Sequence, residues 1–160
     1  MMHRTKNKKL VTVAGAVLVL GGTGVAFAYW SAGGSGAGTG ATGTTVAITA
    51  NQTSTVTAMG PGDSAQTLSG NFDNPNSGPV YVTSVTASIA SVTKAAGAPA
   101  GACGAGDYTL ANPVMTVGTE VAAGTAKGAW TGATIKFNNS TTVNQDGCKG
   151  ATVNLAYTIS

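Results

Sequence analysis

Charge is scarce in this chain. Of its 160 residues only 8% are Asp, Glu, Lys or Arg, in a balance of 8 basic to 5 acidic. Four of the basic residues, Arg4, Lys6, Lys8 and Lys9, stand before residue 10, so from Tyr29 onward four lysines face five acids and the net charge is −1. Lys94, Lys127, Lys136 and Lys149 are dispersed, no two closer than nine residues. A surface that neutralises phosphates needs clustered cations, so nucleic acid is not an expected partner. Histidine is scarcer still: His3 is the single one and lies among the amino-terminal cations. Without an imidazole further along, a Ser-His-Asp triad, a Cys-His pair and an HExxH zinc site are all excluded. No motif marks a Ser-Lys dyad. Of the five acids, Asp63, Asp73 and Asp146 sit in turn sequences, where Asp is favoured for backbone reasons rather than for glycosidic chemistry.

Oxygen ligands for calcium crowd two places, Asp73 with Asn74 and Asn76, and Asn144 with Asp146. Neither has the alternating acidic spacing and distal Glu of a calcium loop. Sequons for glycosylation at Asn51, Asn138 and Asn139 are short motifs in a Thr-rich chain. No catalytic residue, no cofactor-binding residue and no metal ligand is therefore assigned, and the chain reads as non-enzymatic.

One long apolar run is present. Residues 10–30, LVTVAGAVLVLGGTGVAFAYW, carry no charge and come directly after the cationic start. A basic region, an apolar stretch, helix-breaking Gly21, Gly22 and Gly24, and then Ala26-Phe27-Ala28 compose an export signal with an A-x-A cleavage site. Cleavage after Ala28 leaves Tyr29 first. Retention makes residues 1–30 a signal anchor, because about 20 apolar residues cross the hydrocarbon core. Either way the lysines stay cytoplasmic, and the chain beyond Trp30 faces outward, extracellular or on the cell surface. The membrane is a partner only through residues 10–30 and only if the signal is uncleaved. Cys103 and Cys148, the only cysteines, suit that compartment, and a single disulfide between them is expected. A reactive thiol pair has neither CxxC spacing nor a histidine to support it.

Residues 31–45 hold six glycines among Ser, Ala and Thr, a flexible linker spanning about 20 Å on average as a coil. From Val46 to the end, short alternating runs of Val, Ile, Thr and Ala are broken by Gly60-Pro61-Gly62-Asp63, by Asp73-Asn74-Pro75-Asn76-Ser77-Gly78-Pro79 and by Asp146-Gly147, the signature of strands and turns. The clearest run is the carboxyl end, where Val153, Leu155, Tyr157 and Ile159 share one phase and Thr152, Asn154, Ala156 and Thr158 the other. Shorter strand signals fall at residues 46–48, at residues 56–58, at Leu68 with Phe72, and at residues 135–137. Residues 80–92 switch phase between Val82 and Val85, which predicts a bulge near Thr83-Ser84. No helical periodicity of large apolar residues occurs after Trp30. The expected fold is all-β, a single antiparallel immunoglobulin-like β-sandwich of seven to nine strands over residues 46–160, preceded by the signal or transmembrane helix and the Gly-rich linker. Trp130, Phe72, Phe137, Tyr81, Tyr108 and Tyr157 are its bulky residues and are expected in the core.

The segment Ala26-Phe27-Ala28-Tyr29-Trp30-Ser31 resembles the signal segments of proteins processed by SipW-type signal peptidases, although Ser31-Ala32-Gly33-Gly34 stands where those usually carry an acidic residue. Gly60-Pro61-Gly62-Asp63 with Asn74-Pro75-Asn76-Ser77-Gly78 is similar to turns of TasA and camelysin-type β-sandwiches. The linker, Cys103, Gln145-Asp146-Gly147-Cys148 and the ending Leu155-Ala156-Tyr157-Thr158 resemble small exported β-sandwich proteins of actinobacteria. The resemblance implies a surface or matrix protein that assembles into fibres; the metallopeptidase role sometimes given to camelysins has no histidine here to receive it. Two functions stay open on the residues. One is a structural protein that self-associates by lending residues 43–48 as a strand to the next copy. The other is an adhesion or glycan-binding module, to be told apart by whether Trp130 and the tyrosines form an exposed platform. Lys–Asn isopeptide bonds are a further open point.

Overall fold

The computed structural model describes residue 33 and residues 35–160; Ala26, Ala28, Tyr29 and the rest of the export signal lie outside them. The described part of the linker has no regular structure and is exposed. Residues Thr42–Ser160 form one compact unit, all-β, with seven strands: β1 (Thr49–Gln52), β2 (Gln66–Asn74), β3 (Val80–Thr93), β4 (Tyr108–Ala111), β5 (Val114–Val121), β6 (Gly124–Phe137) and β7 (Thr152–Ile159). Two single 3₁₀ turns, Ala105–Asp107 and Asp146–Cys148, interrupt the loops. Among the described residues no helix is long and apolar enough to cross a membrane.

The strands build two antiparallel sheets, ordered β1-β2-β6-β4 and β5-β3-β7. Their facing sides share one core. Leu68, Phe72, Trp130, Ala133 and Ile135 come from the first sheet, and Val82, Val85, Ala87, Met115 and Val121 from the second, all buried. Trp130 fills the centre. Its indole N–H donates to the Asn71 carbonyl at 3.0 Å, satisfying the one polar atom it brings inside. Opposite it β2 carries Gly70, where a Cβ would strike the Asn51 carbonyl and the Trp130 ring. The close approach of β1, β2 and the indole therefore depends on a residue without a side chain.

Other details reflect strand physics. The phase switch in β3 coincides with a register shift against β5 between Val82 and Ser84, the predicted bulge, and a second shift against β7 falls between Ile89 and Ser91. β6 extends 14 residues, well beyond residues 135–137. Its first half is exposed and bulged against β2, with Ala126 and Gly128 at positive φ of 53° and 60°, and so lacks the alternation that marks a strand. β4 and β5 have weak apolar patterns, and only Tyr108 in β4 and Met115 and Val121 in β5 are buried.

Three expectations are corrected. Residues 46–48 are not a strand, because their pairing partner ends: β2 stops at Asn74, and Pro75 has no amide to donate. The Asn76 carboxamide takes over, accepting from the Val46 N–H at 2.7 Å and donating to its carbonyl at 2.8 Å. Residues 56–58 are likewise outside the sheets. Thr53 and Ser54 both donate to the Ser69 carbonyl, which ends the ladder, and the Gln66 carboxamide then grips Thr57 at both its N–H and its carbonyl, at 2.8 and 3.1 Å. A side-chain amide thus replaces a strand partner on each side of β1. Tyr81, expected in the core, is 62% exposed; the phase that turns Val80 and Val82 inward turns the residue between them to solvent.

Candidate functional site

Edges decide what a β-sandwich can join to, and the four edges here differ. β1 and β4 have four residues each, and β4 runs into Asn112-Pro113. β5 is longer but bends at Gly118, with φ +61°, and exposes Glu120. β7 has eight residues with no charge, no proline, no glycine and no bulge of its own. Among the described residues it is bonded on one side only, to β3.

The ladder sets its phase. Ser160 donates to the Ser84 carbonyl at 3.0 Å, and its own carbonyl accepts from Thr83 and Ser84. In an antiparallel pair the inward-bonding residues alternate. Thr158, Ala156, Asn154 and Thr152 therefore direct their peptide groups to β3, while those of Ile159, Tyr157, Leu155 and Val153 point away from it. These four also carry the apolar side chains, and each is only half-buried. A groove of about 460 Å³ runs beside this margin, lined by Ala47, Ile48, Thr49 and Ala50 on one wall and Tyr157, Thr158 and Ile159 on the other.

Tyr157 ties the margin to the core. Its ring lies 4.6 Å from that of Trp130, and its hydroxyl donates to the Gln52 carboxamide oxygen at 2.7 Å, linking β7 to β1 across the sheets. Burial of the phenol raises its pKa above 10.0.

The opposite feature is the disulfide-closed end. Cys103 and Cys148 are bonded, with Cα atoms 5.1 Å apart, and Cys148 packs with Tyr108 and Phe137, whose rings meet edge to face at 5.1 Å. Burial first, and then the Asp107 carboxylate, raise the Tyr108 pKa. Asp107 lies within 4.8 Å of both sulfurs, but with those bonded to each other the trio offers no thiolate to a metal. A cleft of about 480 Å³ opens beside it, with Phe137, Met59 and Val143 against Asn139, Asn144, Gln145 and the Asp146–Lys149 pair. That pair is 2.7 Å apart, and hydrogen bonding to Lys149 holds the Asp146 carboxyl below its ordinary pKa.

In the two clusters of oxygen-bearing side chains, hydrogen bonds run mainly to the backbone. Asp73 accepts from the Ala126 N–H. Asn74, the buried polar residue of the core, donates to the Val121 and Gly78 carbonyls and accepts from Asn76. Asn144 accepts from the Asp146 N–H. Asn138 bridges Thr109 and the Gly106 carbonyl. The four lysines are exposed, and the side-chain partners of Lys94 and Lys149 are carbonyls and Asp146, not asparagines. Trp130 is buried at 2% exposure and Tyr157 covers it, so the two do not form an exposed aromatic platform. The edge status of β7 and the paired grip of Asn76 and Gln66 had no signal in the sequence; a carboxamide facing a backbone peptide leaves no mark there.

Searched against protein-family models, curated proteins and solved structures, the chain has no match.

Proposed function

We propose that the chain is an exported, non-enzymatic structural protein of the cell surface or extracellular matrix that self-assembles by strand donation. The observation that carries this is the uncharged edge of β7, a row of peptide groups to which no other strand among the described residues is bonded, beside half-buried apolar side chains. The donor is residues 43–48, coil in this structure and held through Val46 by Asn76. The export signal, cleaved after Ala28 or kept as an anchor, supplies the location, and the disulfide is compatible with it. Four and three strands in two layers support an immunoglobulin-like sandwich with two rewirings: β6 lies beside β2, where an immunoglobulin domain puts its fifth strand, and β3 rather than the sixth strand is central in the three-stranded sheet. The similarity to TasA, camelysins and small actinobacterial surface proteins rests on the signal segment, the two proline-containing turns, the region around Cys148 and the final strand, and belongs to the same proposal.

Negative-stain microscopy of the secreted protein tests it. Fibres are expected, lost on deletion of residues 29–48 and formed faster by Asn76→Ala, which frees the donor. Monodisperse monomers under all conditions, indifferent to both changes, would overturn it. A second reading, an adhesion or glycan-binding module, has the amide-rich cleft beside the disulfide in its favour. Chemical-shift changes confined to Asn139, Asn144 and Gln145 on adding wall glycan fragments would favour it instead.

A further inference from the structure

We infer that β7 is a pairing edge for a second copy of this chain, the two β7 strands running antiparallel about a two-fold axis through Ala156. This deepens the self-association reading, on which it rests, by naming a partner for the same edge; it does not involve residues 43–48.

The register is dictated by which peptide groups are free. Aligning Thr152 with the partner's Ser160 brings Val153 opposite the partner's Ile159 and Leu155 opposite the partner's Tyr157, and the reverse by symmetry. All four outward-directed residues then meet outward-directed residues, each pair exchanging two bonds, about eight in total. A slip of one residue sets free groups against groups already bonded to β3. A slip of two leaves one residue of each copy without a partner. The full overlap is thus the register that uses the whole strand.

Side chains agree with it. On the core side, half-buried Val153 and Leu155 gain the partner's Ile159 and Tyr157 as cross-strand neighbours, aliphatic and aromatic pairs of the favourable kind. On the outer side Thr152 faces the partner's Ser160, Asn154 faces the partner's Thr158, and Ala156 faces its own copy, all small and uncharged. A second copy is the occupant because the strand has no Lys, Arg, Asp or Glu: copies do not repel each other, and nothing on the edge selects an oppositely charged partner. The result is one continuous six-stranded sheet, β5-β3-β7 joined to its mate. The dimer is closed, and a donated strand would compete with it for the same amides.

Ala156 makes the test specific. Opposite its own copy it occupies a non-hydrogen-bonded position, where Cα atoms are about 4.5 Å apart, within disulfide reach. Asn154 lies about 13 Å along the strand from its own copy. The full-length chain, exported and mildly oxidised, is compared on non-reducing gels; the wild type has no free cysteine among its described residues. Ala156→Cys is expected to run mainly as a covalent dimer and Asn154→Cys as monomer. The double variant Asn154→Cys with Thr158→Cys should again be dimeric. Cross-linking at 156 no greater than at 154 overturns the pairing. Deleting residues 29–48 separates the two ideas. Persistent cross-linking without fibres supports both edge pairing and strand donation. Fibres in the full-length chain without cross-linking sink the pairing alone, and neither fibres nor cross-linking sinks both.

Discussion

β2 and β7 invite comparison because both alternate in sequence over similar lengths, yet the structure treats them differently. The inward phase of β2 is Leu68, Gly70, Phe72 and Asn74, which includes a glycine and an amide, and all four are buried. The inward phase of β7 is Val153, Leu155, Tyr157 and Ile159, more apolar throughout, and none is fully buried. β2 lies between β1 and β6; among the described residues β7 pairs with β3 alone. Burial here tracks the number of neighbours, not the hydrophobicity of the strand. The surplus apolar character of β7 at an open margin is what makes that edge adhesive.

Substitutions can break this contrast from either side. The largest effects belong to the β2 layer. Trp130→Ala should cost about 3–5 kcal/mol by emptying the centre of the core, and Gly70→Ala should lower the urea midpoint sharply because the new methyl has backbone and indole in its way. Asn74→Ala should cost about 2 kcal/mol, leaving the Val121 carbonyl without its buried donor; equilibrium unfolding in urea checks all three. Removing the disulfide as Cys103→Ala with Cys148→Ala releases a loop of 45 residues, worth about 4 kcal/mol in the chain-entropy model, and tests the end that closes the sandwich rather than either strand.

On the β7 side the changes are smaller. Tyr157 in β7, like Tyr108 in β4 of the other sheet, holds its proton more tightly folded than unfolded, so the contribution of each is intact below the ordinary pKa of 10.0 and is lost as pH rises through the raised values. Tyr157→Phe should flatten part of the alkaline loss of stability while costing about 1 kcal/mol near neutrality for the bond to Gln52, measured by melts on both sides of pH 10.0. Smallest in the monomer is Ala156→Lys, an exposed position where a change of less than about 0.5 kcal/mol is expected. It should nevertheless abolish self-association by light scattering. An equal loss of stability at Ala156 and Gly70 would erase the distinction between an interior strand and an open edge.

Much of the fold was legible in the residues. Thr152–Ile159 is a strand over its full length, with its alternation intact, and the shift near Thr83-Ser84 was visible as a change of phase. The Gly60-Pro61-Gly62-Asp63 turn closes as expected, with the Asp63 N–H donating to the Gly60 carbonyl and the Asp63 carboxylate accepting from the Gly60 N–H. Less visible were β4, β5 and the first half of β6, whose exposed or bulged residues carry no period. Residues 46–48 and 56–58 misled for the converse reason: they have strand-like side chains, but the strand beside them ends.

By itself the sequence determined that the region from Val46 onward is all-β, where its breaks fall, and that two cysteines can make one bridge. It also removed imidazole chemistry, since no histidine occurs after His3. Those properties are local or compositional. Tertiary structure alone decided that β7 is an edge and β2 an interior strand, that Asn76 and Gln66 substitute for a strand, and that Tyr157 joins Trp130 while Tyr81 faces solvent. A period of two says which side of a strand is apolar, but the number of strands beside it is set by the path of the rest of the chain.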